Sequence, residues 1–238
     1  MRVAVPSRVV DDLAKFRRKG LRPKVVLWIP FRIVNYTLVS GARTSRKSIC
    51  VASCYVDRVS REESLLFLIK NHYLRDRVEE RDIEVGERCK VAPDPDFDVW
   101  TFLQRLRRLG ERSEAELEGL RRRALARARS TFGRMLLGGL RIKNRIEEGD
   151  DLGALGTRGL LRGLILDHLG LRYRIDRSES VGTIYVPFLY CLSDRGIVLM
   201  EMYEGGRVDP LFTKLLRMDG GFHRATLEFI GASAYPLM

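Results

Sequence analysis

Val25-Val26-Leu27-Trp28-Ile29-Pro30-Phe31-Arg32-Ile33-Val34-Asn35-Tyr36 is a run of β-branched, aliphatic and aromatic residues. Side chains of this kind fill a pleated, packed surface. A polar turn from Ser40 to Lys47 follows, and the chain returns through Ser48-Ile49-Cys50-Val51-Ala52-Ser53-Cys54-Tyr55-Val56. Two such runs separated by turn chemistry predict a β-hairpin.

Working outward, Ser7 to Lys19 carries a helical pattern with Ser7 as N-cap and Gly20 as its stop. Beyond the hairpin, Ser60-Arg61-Glu62-Glu63 has the form of a capping box and predicts a helix from Arg61 to about Arg75. The same order then returns in the second half of the chain. A helical stretch from Thr157 to Leu169 stops at Gly170-Leu171-Arg172, as the first stops at Gly20-Leu21-Arg22. Tyr185-Val186-Pro187-Phe188 echoes Trp28-Ile29-Pro30-Phe31. The strand Ile184 to Leu192 turns at Ser193-Asp194-Arg195-Gly196 and returns through Ile197 to Tyr203, and a helix begins with Asp209 as N-cap and Pro210 at its first position. The expected fold class is therefore α+β, two related helix–β-hairpin–helix units flanking a central basic helical segment, divided as 1–97, 98–150 and 151–238.

That central segment holds most of the charge. From Thr101 to Arg145 twelve Arg and one Lys face four Glu, a balance of +9 within a chain that carries +12 in all. The pattern predicts a short helix from Asp98 to Leu109 stopped by Gly110, then a second helix opened by the capping box Ser113-Glu114-Ala115-Glu116. Leu117, Leu120, Ala124, Ala128, Met135, Ile142 and Ile146 share one helical stripe, with Arg123, Arg127, Arg134, Arg141 and Arg145 along its flank. Gly133, Gly138 and Gly139 weaken the helix, each by about 1 kcal/mol relative to Ala. Nine bases, Arg121, Arg122, Arg123, Arg127, Arg129, Arg134, Arg141, Lys143 and Arg145, follow one another with no acid between them. A solubilising helix face normally alternates signs, so these nine are the candidate nucleic-acid-binding residues, a track for phosphates. The competing reading is an assembly subunit that oligomerises, or docks on an acidic protein, through the same helix.

Composition limits the rest. The chain has 238 residues and 45% hydrophobic content, enough for a substantial core. No apolar run reaches membrane-spanning length and residues 1–20 are too charged for a secretory signal, so the expected compartment is the cytoplasm. A single Gln, Gln104, and few Asn fit a thermophilic habit. Cys50, Cys54, Cys89 and Cys191 form no C-x-x-C motif and read as buried free thiols.

Other constellations are weak. Gly153-Ala154-Leu155-Gly156 has the form of an RNA-clamping GXXG loop but follows the acidic Glu147-Glu148-Gly149-Asp150-Asp151. A winged helix-turn-helix around the second hairpin is disfavoured because that hairpin is apolar on both faces. Asp194 and Glu201 stand like the acidic pair of a nuclease ending in E-x-K, but Tyr203 occupies the lysine position. His72, His168 and His223 lack metal-ligand spacing. The aromatics Trp28, Phe31, Tyr36, Tyr185, Phe188 and Tyr190 read as core more than as a stacking platform. Hence no catalytic residue, no metal and no cofactor is expected. The functional expectation is a non-enzymatic nucleic-acid-binding or accessory protein, with DNA or RNA as partner.

Overall fold

The computed structural model describes residues 1–10, 12–13, 20–130 and 163–232. Among them are strands β1 (Arg2–Pro6), β2 (Leu21–Ser40), β3 (Arg43–Ala52), β4 (Val78–Asp82) and β5 (Cys89–Val91), followed by helix α1 (Val99–Ser130). Then come β6 (Arg174–Ser193), β7 (Gly196–Glu201), β8 (Arg207–Val208), α2 (Pro210–Met218) and α3 (Gly220–Ile230). Six strands form one sheet in the order β3-β2-β6-β7-β8, with β5 joining β2 in parallel, while β1 and β4 pair antiparallel by themselves.

This sheet overturns the expected arrangement. Both hairpins form, but they are neighbours in one mostly antiparallel sheet, β2 beside β6, and are not the centres of two units flanking a helix. The reason lies in the quoted stretch. Leu27, Trp28, Ile29, Pro30 and Phe31 are all buried, so both faces of β2 are covered. Such a strand needs sheet partners and packing layers that a lone hairpin does not supply.

The helices flanking the hairpins also differ. Arg61 to Arg75 is not an α-helix but two tight turns of 3-10 helix, Glu62–Leu68 and Asn71–Arg75. Between them Ile69 bridges to Val51 and the Lys70 N–H donates to the Cys50 carbonyl, so sheet pairing interrupts the helix. At the start of the chain Ser7 and Arg8 lie in a turn, Val9 bridges to Tyr203, and residues 11 and 14–19 lie outside the described residues. Of the helix expected from Thr157 to Leu169, the described part is one wide turn, Gly163–His168, ended by Gly170 in the left-handed region.

The contacts divide the chain into two units, the first made of Met1–Thr37, Arg46–Phe102 and Arg177–Met238. Its core is aromatic. Phe31 lies 5.0 Å from Tyr73, 6.2 Å from Phe188 and 6.3 Å from Phe212 between ring centroids, and Phe212 lies 5.5 Å from Phe222 of α3. Asp209 caps α2 as the sequence predicts, accepting from the Leu211 and Phe212 N–H groups. Asp219 does the same for α3 and also accepts from the Ser60 N–H and the Ser64 hydroxyl. On the other side of the sheet Leu189, Cys191, Val198, Met200 and Met202 form a second apolar cluster with Val10, Leu21 and Val26. The apolar character of both faces of the second hairpin is thus that of a sheet interior.

Pro30 sets the end of β5. On that edge of β2 the Val26 N–H donates to the Arg88 carbonyl, and the Trp28 carbonyl accepts from the Ala92 N–H. The next donor on the edge would be residue 30, and proline has none. The chain leaves the sheet there and is held by Asp94, which accepts from Arg32, Ser53 and Thr183.

The second unit comprises Leu38–Ser45 and the described part of Leu103–Asp176. Here α1 runs without a break through both expected boundaries. Gly110 does not end a helix, and Ser113 is a buried interior residue rather than an N-cap. A Cβ on Gly110 would sit 2.6 Å from Leu166 Cγ and 2.9 Å from Ile165 Cγ2, so the glycine admits the neighbouring turn. The true start of α1 is Asp98, whose carboxylate accepts from the Trp100 N–H at 2.9 Å and from the Thr101 hydroxyl.

Candidate nucleic-acid interface and a polar cleft

Arg121, Arg122, Arg123, Arg127 and Arg129 occupy the last third of α1. Arg134, Arg141, Lys143 and Arg145, like Gly133, Gly138, Gly139 and the Gly153–Gly156 loop, lie outside the described residues. Earlier in α1 the acids are paired: Arg107 with Glu111 at 3.1 Å, Arg112 with Glu116 at 3.3 Å, and Arg172 with Glu114 at 3.1 Å. Arg122 is exposed and reaches back to Glu118 at 3.2 Å, an i,i+4 pair with an acid that precedes the run of nine bases. Glu118 is the last acid before Glu147. No acid lies three or four positions from Arg123, Arg127 or Arg129, so helix geometry offers them no intrahelical ion pair.

The basic residues around the first hairpin fare differently. Arg32 is only 12% exposed and is neutralised by Asp94, at 3.0 Å, and Asp96, while Arg58 pairs with Glu228. Arg43, Arg46 and Lys47 stay exposed. The aromatics Trp28, Phe31, Tyr36, Phe188 and Tyr190 are buried, which removes them from any stacking surface.

Sequence reasoning missed a second feature, which lies wholly in the first unit. Glu201 ends β7 with its side chain 16% exposed. Its Oε1 accepts from the Tyr73 hydroxyl and lies 3.0 Å from His72 Nε2. Burial would raise the Glu201 pKa, but the bonds from His72 and Tyr73 and the nearby Lys70 charge outweigh it and hold the carboxyl below its ordinary value. Since an ionised carboxylate only accepts, the hydrogen between the two residues is on His72 Nε2. Tyr203, two residues further on, packs 5.2 Å from both the His72 and the Tyr73 rings. Burial, reinforced by Asp76 and Glu204, pushes its hydroxyl up to about 12. Asp76 is buried against Arg8, whose Nε lies 3.1 Å away, and Arg8 also pairs with Glu204.

Arg8, His72, Glu201, Tyr203 and Glu204 wall an open cleft of about 340 Å3, which Arg75 and Arg207, both exposed, also line. The parts come from the N-terminal turn, the second 3-10 turn and the end of β7. Glu201 and Tyr203 have strand spacing, which puts both on one face, and this was the one local signal available. Glu201, set aside in the sequence as half of an acidic pair without its lysine, thus meets His72, which has no metal-ligand spacing of its own.

Among the described residues no three His, Cys, Asp or Glu side chains gather as a metal site, and no helix is long and apolar enough to cross a membrane. Cys50, Cys54 and Cys191 are buried free thiols, and Cys89 is free and half-buried. Burial raises all four thiol pKa values, which leaves them poor nucleophiles. Compared with known proteins, the chain matches no family model, no curated sequence and no solved structure.

Proposed function

We propose that this protein is a cytoplasmic, non-enzymatic nucleic-acid-binding or accessory protein that holds phosphates through Arg121, Arg122, Arg123, Arg127 and Arg129 of α1, together with Arg134, Arg141, Lys143 and Arg145 beyond it. One observation carries the reading. The helix is continuous past Glu118, so its acids all lie in its first two-thirds and, apart from Arg121 and Arg122, which follow Glu118 by three and four positions, the bases of its last third have no acid within a helical turn. Arginines on successive turns meet phosphates by charge and by forked hydrogen bonds, which read groove geometry and carry no base information.

The test is affinity against salt for duplex DNA and for RNA. Neutralising four or five phosphates gives a log–log slope of roughly −4 on duplex DNA, at about 0.9 per phosphate. Replacing Arg123, Arg127, Arg134, Arg141 and Arg145 by Gln nearly preserves helix propensity and should collapse both binding and slope. A folded five-Gln protein that binds like the parent overturns the reading. If that protein instead loses self-association in sedimentation, the assembly role takes its place.

A further inference from the structure

The cleft beside Glu201 divides into groups that are already engaged and groups that are not. Its acids are engaged: Glu201 by His72 and Tyr73, Glu204 by Arg8, and Asp76 by Arg8 behind them. Arg75 and Arg207 line the same space, are exposed, and have no carboxylate partner among the described residues. Each guanidinium offers five N–H donors and no acceptor. The cleft thus offers the donors of two guanidiniums without a carboxylate partner, beside acids that are already ion-paired or hydrogen-bonded.

We propose that this cleft binds the single phosphoryl group of a phosphate monoester. A terminal phosphate presents three acceptor oxygens and carries about −1.5 to −2 charge at neutral pH, which suits two forked guanidiniums. The acids of the wall set the size of the charge accepted, because Glu201 and Glu204 would repel the further phosphates of a polyphosphate. A volume of about 340 Å3 lies within the range of small-ligand sites and accommodates the phosphate with part of its ester group. The site uses none of the arginines of α1, so it stands or falls separately from the helix.

The phosphoryl group could belong to a small metabolite or to the end of a nucleic-acid strand, and one titration separates the two. The full-length protein is titrated calorimetrically with adenosine 5′-monophosphate, and by anisotropy with a short oligothymidylate bearing either a 5′-phosphate or a 5′-hydroxyl. Saturable binding of the monophosphate, weakened about tenfold or more for each of Arg75→Gln and Arg207→Gln, is the expected result. Arg195→Gln, in the β6–β7 turn outside the cleft, should leave it unchanged. A 5′-phosphate preference in the oligomer that disappears in the Arg75→Gln/Arg207→Gln protein assigns the site to strand ends; monophosphate binding without that preference assigns it to a small ester. Absence of monophosphate binding at millimolar concentration together with no 5′-phosphate preference, or equal affinity in the double-Gln protein, overturns the proposal. Monophosphate binding that survives in the five-Gln variant shows that the two sites are independent.

Discussion

Lys70 Nζ donates to Asp209 Oδ2 inside the first unit, across 139 residues of sequence, with both side chains almost wholly buried. The same carboxylate caps α2 through its other oxygen, and the ammonium lies 4.6 Å from the centre of the Phe212 ring. Removing one partner strands a buried charge, so Lys70→Met should cost about 3 to 5 kcal/mol in urea unfolding. Lys70→Met combined with Asp209→Ser keeps a capping oxygen and leaves no uncompensated charge. The pair of changes should therefore be less destabilising than Lys70→Met alone.

Gly110 and Gly119 of α1 make an opposed pair. A Cβ at Gly119 meets nothing within 4 Å, so Gly119→Ala should gain about 1 kcal/mol of helix propensity. Gly110→Ala gains the same propensity but drives Cβ into Leu166 and Ile165, and overpacking of this kind costs about 1 to 3 kcal/mol. Thermal melts should shift in opposite directions for the two variants. Equal upward shifts would mean that the turn at Gly163–His168 does not rest on Gly110.

Phe31→Ala removes a fully buried ring that packs on Tyr73, Phe188 and Phe212. A loss of about 3 to 5 kcal/mol is expected from chemical denaturation. A loss below about 1 kcal/mol would put that ring on a recognition surface instead.

His223 supplies a pH dependence. It is buried, its Nε2 has no hydrogen-bond partner among the described residues, and burial lowers its pKa below 6.5. The unfolded chain therefore takes up this proton at higher pH than the folded chain. Its contribution is fully present above about pH 6.5 and is lost as the pH falls through the lowered folded value. Urea midpoints should decline as the pH falls below about 6.5, and His223→Gln should flatten that decline.

What was legible in the sequence was local. Val25 to Tyr36 and Ile184 to Leu192 announce strands by composition, and Asp209-Pro210 announces a helix start, because each signal needs only a few adjacent residues. Capping boxes were less secure. Ser113 to Glu116 reads as a start, but burial of Ser113 inside a longer helix overrides it, and Ser60 instead serves Asp219 from far along the chain. Gly110 looked like a stop because sequence cannot distinguish a glycine that ends a helix from one that admits a neighbour. The arginines of α1 were visible as a run of one sign. The cleft was not visible, since Arg8, His72 and Glu201 meet only when the sheet is complete.

The place of β6 beside β2 has a consequence for synthesis on the ribosome. β2 is finished by Ser40, but the neighbour that covers its long edge begins only at Arg174. At about 5 to 20 residues per second, the intervening translation lasts on the order of ten seconds. Throughout that interval an apolar strand waits with an unsatisfied edge, a template for pairing with another nascent chain. Expression yield should therefore depend on how quickly the ribosome traverses the stretch between these two strands, and slow codons placed there should increase aggregation even though the encoded protein is unchanged.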